Sequence, residues 1–310
     1  MSREAGNTRQ SDHRHQVPVL EIGGTHVTSA MVELAAGRVT PGAGSRQPLQ
    51  GDASARELLD QILRCATELD ATPGAAWGVA VPGPFDYQHG VARFEGVGKF
   101  DALNGVDIGQ VLHRELPSSP SSIRFVNDAA AFTIGEWAYG AAAGHDRVVG
   151  ITLGTGVGSG FLAGGVPIGT GPNVPPCGEV FRLTFNSRPL EDTVSRRALL
   201  RNYAQRAPHG HDLDVVDIAA RARAGDQIAD QVLGHAFTQL GTVLTPWLAR
   251  FQATAMVVGG SMSRSWDLVY PPLFAGILAS DRSIAQGLEL MPAQNPEEAG
   301  LLGAAWHGAR

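Results

Sequence analysis

Val17-Pro18-Val19-Leu20-Glu21-Ile22-Gly23-Gly24-Thr25-His26-Val27-Thr28-Ser29-Ala30-Met31-Val32 is a pair of short apolar runs joined by a glycine corner. The same construction returns at Val148-Val149-Gly150-Ile151-Thr152-Leu153, Gly154-Thr155-Gly156-Val157-Gly158 and Ser159-Gly160-Phe161-Leu162. Apolar runs of this length broken by glycine turns read as strand, corner, strand. Their recurrence predicts a duplicated α/β architecture. Without a Cβ, such corners let backbone N–H groups approach an anion, which is why phosphate sites use them. A third candidate is Gly259-Gly260-Ser261, at the end of the apolar run 255–258. Taken singly, each corner is equally well a plain turn. None of them fits GxxxxGK[ST], or GxGxxG between a strand and a helix, which argues against a P-loop enzyme or a dehydrogenase.

Between the two hairpins, Ser54-Ala55-Arg56-Glu57 is a capping box, and apolar residues recur at helical spacing over 55–69. The run 77–81 is a strand stopped by Pro82-Gly83-Pro84. Residues 107–116 read as a helix, 123–126 as a strand and 129–139 as a helix, which leaves Asn127-Asp128 at a strand end, where α/β enzymes place their chemistry. Helices are expected over 216–224 and 227–251, and a last one from near Glu298 through 299–306.

A chain of 310 residues suits two closely joined domains. With 43% apolar and 17% charged residues it is globular, and a net charge of −6 provides no basic field for nucleic acid. Cys65 and Cys177 form neither a disulfide framework nor paired zinc spacing, which fits a reducing cytoplasm. The first sixteen residues are polar, carry His13 and His15, lack the apolar core of a signal peptide, and read as a disordered tail. The uncharged stretch 148–178 could suggest a membrane helix, with Gly156, Gly160 and Gly164 at GxxxG spacing. Its many interior glycines, each costing about 1 kcal/mol in a helix, oppose that reading.

Across 19–308 the motifs and their order resemble the ROK family of repressors, open reading frames and sugar kinases, within the actin and hexokinase superfold. Its first phosphate loop, Asp-x-Gly-Gly-Thr, is similar to Glu21-Ile22-Gly23-Gly24-Thr25 here. Pro82-Gly83-Pro84, Asn127-Asp128 and Gly135-Glu136 follow, then a second loop at Leu153-Gly154-Thr155-Gly156-Val157-Gly158. Val258-Gly259-Gly260-Ser261-Met262-Ser263 looks like the adenosine-side loop, and Gly300-Leu301-Leu302-Gly303-Ala304-Ala305 like the closing motif. The resemblance implies a two-lobed, actin-like (ribonuclease H-like) ATPase fold with duplicated mixed-sheet domains that close over a cleft. The first lobe is expected over 17–126 with the helix 298–310, and the second over 127–297.

It further implies an ATP-dependent kinase, a homodimer, acting on a hydroxyl of a sugar or polyol. Asp128 is then the general base, although Asp also suits a helix N-cap. Gly83, Asn127, Asp128, Glu179 and Glu191 are the expected acceptor contacts. Gly23, Gly24, Thr25, Gly154, Thr155, Gly156, Gly158, Gly259, Gly260 and Ser261 are the expected nucleotide contacts, with Mg2+ near Glu21. The chain also departs from the family pattern. Glu21 replaces the usual Asp, His26 stands where Lys commonly follows Thr, and the zinc motif is missing, so no zinc site is expected. Arg182 stands near the place of a sugar-contacting His. These changes point to an acceptor other than glucose, for example a seven-carbon cyclitol of the valiolone type. A glucokinase whose loop is braced by packing, or an inactive sugar-binding sensor, stays open. A repressor is disfavoured because sixteen residues ahead of the kinase-like part leave no room for a helix-turn-helix domain of about 60 residues.

Overall fold

The computed structural model describes residues 16–207 and 213–310. Of the expected tail, residues 1–15, with His13 and His15, lie outside the described residues, and Gln16 begins the first strand. The chain divides into two units, one running to Tyr139 and taking back Glu297–Arg310, the other formed by Gly140–Pro296.

In the first unit β1 (Gln16–Ile22) pairs antiparallel with β2 (His26–Glu33), and β2 with β3 (Arg38–Pro48). On its other side β1 runs parallel to β4 (Ala76–Val81), and β4 parallel to β7 (Ser122–Asn127), giving the order β3-β2-β1-β4-β7. The two-residue strands β5 (Phe85–Asp86) and β6 (Val91–Ala92) form a small ribbon between β4 and β7. Helix α1 (Ala55–Thr67) starts at the expected capping box, where the Ser54 hydroxyl accepts from the Glu57 N–H and the Glu57 carboxylate accepts from the Ser54 N–H at 3.0 Å. It buries Leu58, Ile62, Cys65 and Ala66, the face set by the i, i+4 and i+7 pattern. Helices α2 (Ile108–Glu115) and α3 (Asp128–Tyr139) flank β7 in the chain.

The second unit repeats this topology. β8 (Arg147–Leu153) pairs antiparallel with β9 (Val157–Ala163), which pairs with β10 (Val166–Pro167). β8 then runs parallel to β13 (Ala255–Gly259), and β13 to β14 (Glu289–Pro292). A ribbon of β11 (Thr184–Phe185) and β12 (Arg188–Pro189) precedes α4 (Glu191–Val194), α5 (Arg196–Ala204), α6 (Val215–Arg223) and α7 (Gln227–Phe251). Beyond β13 come α8 (Trp266–Ser280) and α9 (Arg282–Gly287). The order β10-β9-β8-β13-β14 matches that of the first unit strand for strand. The two hairpins that open the units are the two stretches whose likeness predicted a duplication, and the uncharged stretch after Val148 is hairpin and loop. Among the described residues no helix is long and apolar enough to cross a membrane.

The last helix, α10 (Ala299–Gly308), packs on α3, β4 and β1 of the first unit. Its approach is backbone to backbone. A Cβ on Gly303 would stand 2.7 Å from the Ala131 carbonyl carbon and 2.9 Å from the Gly135 nitrogen, and one on Gly135 would stand 2.8 Å from the Ala299 Cα. This contact keeps α3 in the first unit, so the division falls after Tyr139 and not after Val126 as the motif order suggested. Gly303→Ala should destabilise the protein by about 1–3 kcal/mol, the usual cost of forcing atoms into a packed contact. Urea denaturation followed by tryptophan fluorescence measures it, and an unchanged midpoint would refute the close packing.

Candidate active site

Parallel pairing of β1, β4 and β7 brings their C-terminal ends to one edge of the first sheet. Glu21 lies in register with Ala80, and Val81 with Asn127, so the end of β1, the Pro82-Gly83-Pro84 turn and the start of α3 are neighbours. Asn127 caps α3: its Oδ1 accepts from the Ala129 N–H at 3.0 Å and from the Ala130 N–H at 3.2 Å. The capping role that Asp128 could have filled is thus taken by its neighbour. One Asp128 oxygen accepts from the Ala129 N–H at 2.8 Å. Burial pushes the Asp128 carboxyl above the ordinary aspartate value, while bonds from the Ala129 N–H, its own N–H and Asn127 pull it back.

Tyr87 completes this group and was not visible as a site residue in the sequence. Its hydroxyl donates to the Val81 carbonyl at 3.3 Å and accepts from Asn127 Nδ2 at 3.1 Å, which fixes the Asn127 amide so that its oxygen faces the helix. Glu21 is pushed up to about 7, first by burial and then by the Asp128 charge, with Arg46 opposing. The Glu21 carboxylate also lies against Gly300 in the first turn of α10, where a Cβ would stand 3.3 Å from the carboxyl carbon. A side chain at 300 would displace it, so the glycine of the closing motif makes room for the longer acid. A carboxylate at a strand end beside a glycine corner suits a hard divalent cation that takes its remaining ligands from water and substrate phosphates, so Glu21 is the residue here that would fit Mg2+. Among the described residues no group of three or more His, Cys, Asp and Glu gathers to hold a metal without a substrate.

The first glycine corner is closed by the Gly23 N–H donating to the His26 carbonyl at 2.8 Å and is tied to Leu49, whose N–H donates to the Thr25 carbonyl at 2.8 Å. Thr25 Oγ1 and His26 Nδ1 share a hydrogen bond at 2.9 Å.

In the second unit the Gly154 N–H donates to the Gly156 carbonyl at 3.0 Å, and the Gly154 carbonyl accepts from the Arg196 N–H at 3.0 Å, which anchors the corner to the start of α5. Thr155 is exposed at its tip, and Gly158 returns to the ladder opposite Thr152. Gly260 has φ 80°, and a Cβ there would stand 2.8 Å from backbone atoms of Leu153. Only glycine allows Gly259-Gly260-Ser261 to lie against the residue that leads into Gly154. Next to this loop is a cavity of about 300 Å3 lined by Ser261, Met262, Arg264, Val215 and Leu268 and by the Arg196–Asp214 ion pair. A larger hollow of about 400 Å3 borders Trp77 and Leu116 in the first unit; it lies at the opposite end of β4 and carries only Glu68 and Asp70.

Glu179 and Glu191 go to different neighbours. Glu191 opens α4, and its carboxylate occupies the place a side chain on Gly156 would fill. Glu179 forms an ion pair with Arg182. Ser159 braces the Glu179 segment: its hydroxyl donates to the Gly178 carbonyl at 2.6 Å and accepts from the Val180 N–H at 3.0 Å. Neither Ser159 nor the destination of Glu191 had a local signal, because each depends on a strand meeting a loop many residues away.

The two units share one mixed-sheet topology with glycine corners at strand ends, and in the first unit Asp128 opens the helix beyond β7. The chain belongs to the ROK family, which matches residues 18–309. It is 27% identical over 272 residues to a glucokinase of Thermotoga maritima, covering 81% of this chain and 83% of that protein. Its fold is similar to a ROK family glucokinase from Streptomyces griseus in complex with glucose and AMPPNP, with a TM-score of 0.73, 24% identity, and coverage of 95% and 99% of the two chains. It is equally that of a ROK family transcriptional regulator homologous to the E. coli MLC protein, with a TM-score of 0.80, 19% identity, and coverage of 96% and 78%.

The position of Glu21 has a consequence for stability. Its folded value of about 7 lies above the ordinary 4.5, so ionising it works against the fold. Below pH 4.5 the carboxyl is protonated folded or unfolded and costs nothing; stability is lost as pH rises from 4.5 to about 7 and levels off above that. In metal-free buffer Glu21→Gln should match wild type near pH 4.5 and exceed it at pH 8 by up to about 3 kcal/mol. Urea denaturation at both values checks this, and a difference independent of pH would contradict it.

Proposed function

We propose that the protein transfers the γ-phosphoryl group of ATP to a hydroxyl of a sugar or sugar-like polyol, with Asp128 as general base. The observation that carries this reading is the division of labour at the start of α3. Asn127 caps the helix and Tyr87 holds Asn127, so the Asp128 carboxyl, raised by burial, is left to take a proton. Asn127 and Gly83 border it and would orient the acceptor. Within the first unit Gly23-Gly24-Thr25 would offer backbone N–H groups to a phosphate; within the second unit Gly154-Thr155-Gly156-Val157-Gly158 would do the same, and the cavity beside Gly259-Gly260-Ser261 would take the nucleoside. Mg2+, held near Glu21 through water and substrate phosphates, would supply neutralisation of phosphate charge. Asp128→Asn should lower kcat by about 10²- to 10⁴-fold, the range for loss of a positioned base, with little loss of stability because Asn127 still caps. Coupled ADP-release kinetics and a thermal melt measure the two effects, and near-normal turnover in a folded variant would remove Asp128 from this role.

A second reading concerns the acceptor. The Arg182 pairing places a cation on one of the two aligned carboxylates, and Ser159 braces the loop in which a zinc motif is missing. That favours a modified hexose or a carbocyclic polyol such as a seven-carbon cyclitol over glucose, because a changed hydrogen-bonding edge can shift specificity by about 10⁴-fold. Steady-state kinetics over glucose, mannose, N-acetylated hexosamines and cyclitols should give the highest kcat/KM to one of the last two groups. A kcat/KM for glucose above all others would establish a glucokinase, and ATP turnover with none of them would point to a sugar-binding sensor.

A further inference from the structure

The 310-residue sequence contains one lysine, Lys99. Its ammonium lies over the first glycine corner: a Cβ on Gly24 would stand 2.9 Å from Lys99 Nζ and 3.7 Å from its Cδ. The stem is laid along Gly51, where a Cβ would stand 3.5 Å from both Lys99 Cβ and Cγ. This placement is built. The next residue, Phe100, is buried, stacks near Phe94 at 5.5 Å, and donates its N–H to the Gly51 carbonyl at 2.7 Å. The preceding turn is closed by the Val97 N–H donating to Asp101 Oδ1 at 3.1 Å. Lys99 itself is exposed and has no ion-pair partner among the described residues, although Asp52, Glu95 and Asp101 are close in sequence. An ammonium therefore lies at the glycine corner, and among the described residues no carboxylate pairs with it. A compact lysine charge beside such a corner is a phosphate ligand.

We infer that Lys99 is the cation that binds the phosphoryl group being transferred, a role that rests on the kinase reading above. Glu21 is in register with Ala80 and Val81 with Asn127, so the corner that follows Glu21 opens beside Asp128 and the phosphate reaching it is the one next to the base. In the step, the acceptor oxygen bonds to the γ-phosphorus while its proton passes to Asp128. The bond from phosphorus to the β,γ-bridging oxygen breaks, and its electron pair leaves on ADP. Lys99 would neutralise the non-bridging oxygens throughout. It replaces, from a different loop, the positive charge that position 26 lacks.

The test compares AMPPNP with ADP by titration calorimetry on wild type, Lys99→Met and Lys99→Arg, with Mg2+ present. Lys99→Met should weaken AMPPNP about 10- to 100-fold, as expected for a lost charged hydrogen bond, and leave ADP nearly unchanged; Lys99→Arg should recover most of the affinity. Since Lys99 offers the only side-chain amine, acetylation of the native protein should reproduce the loss, and AMPPNP should protect against it. Equal weakening of AMPPNP and ADP, no change in either, or an effect on the acceptor KM alone would overturn the assignment. If wild type consumes ATP with no polyol, the kinase reading fails, while the AMPPNP and ADP comparison still decides the role of Lys99.

Discussion

The first unit depends on a backbone-to-backbone contact between α10 and the elements it covers. Gly135 and Gly303 meet across the α3 interface, and Gly78 and Gly308 meet over β4, where a Cβ on Gly308 would stand 2.7 Å from the Gly78 Cα. Interiors packed to crystal density transmit any added methyl to the surrounding backbone. Here that backbone carries the two acids of the candidate site, because α3 begins at Asp128 and the first turn of α10 holds Gly300 against Glu21. The same helix that seals the core sets the environment of one acid and braces the helix of the other.

The polar part of the site works by delegation. Asn127 satisfies the free N–H groups of α3, Tyr87 satisfies Asn127, and Val81 satisfies Tyr87, so a short chain of bonds runs from β4 to the helix end. Buried polar groups are costly unless each is partnered, and this relay meets that need. In the second unit Ser159 does for the Glu179 loop what a bound metal would do elsewhere, with two hydrogen bonds from one hydroxyl.

Sequence made the repeating parts legible. Both hairpins, the capping box at Ser54 and the long helix Gln227–Phe251 follow from local pattern, and the structure places them within a few residues of expectation. Strand β3 was not legible because an edge strand with Pro41, Gly42 and Gly44 needs little apolar alternation. Helix α8 was hidden by Pro271 and Pro272, which read as a stop yet are accommodated within it. Tyr87, Ser159 and Lys99 escaped for another reason. Each acts on a segment distant in sequence, and only the register of the sheets brings them together.

Because α10 follows the second unit in the chain, the first unit cannot be completed until residues 140–296 have been synthesised. At typical elongation rates, about 10–30 s separate the end of α3 from the start of α10. Throughout that interval the surfaces of β1, β4 and α3 that α10 will cover have no permanent partner, while the second unit is complete as soon as Pro296 is added. Translation thus sets an order of assembly opposite to the order of the sequence. The surfaces that α10 covers therefore wait for it through the synthesis of the second unit, and loss of α10 would strike the unit that carries Asp128.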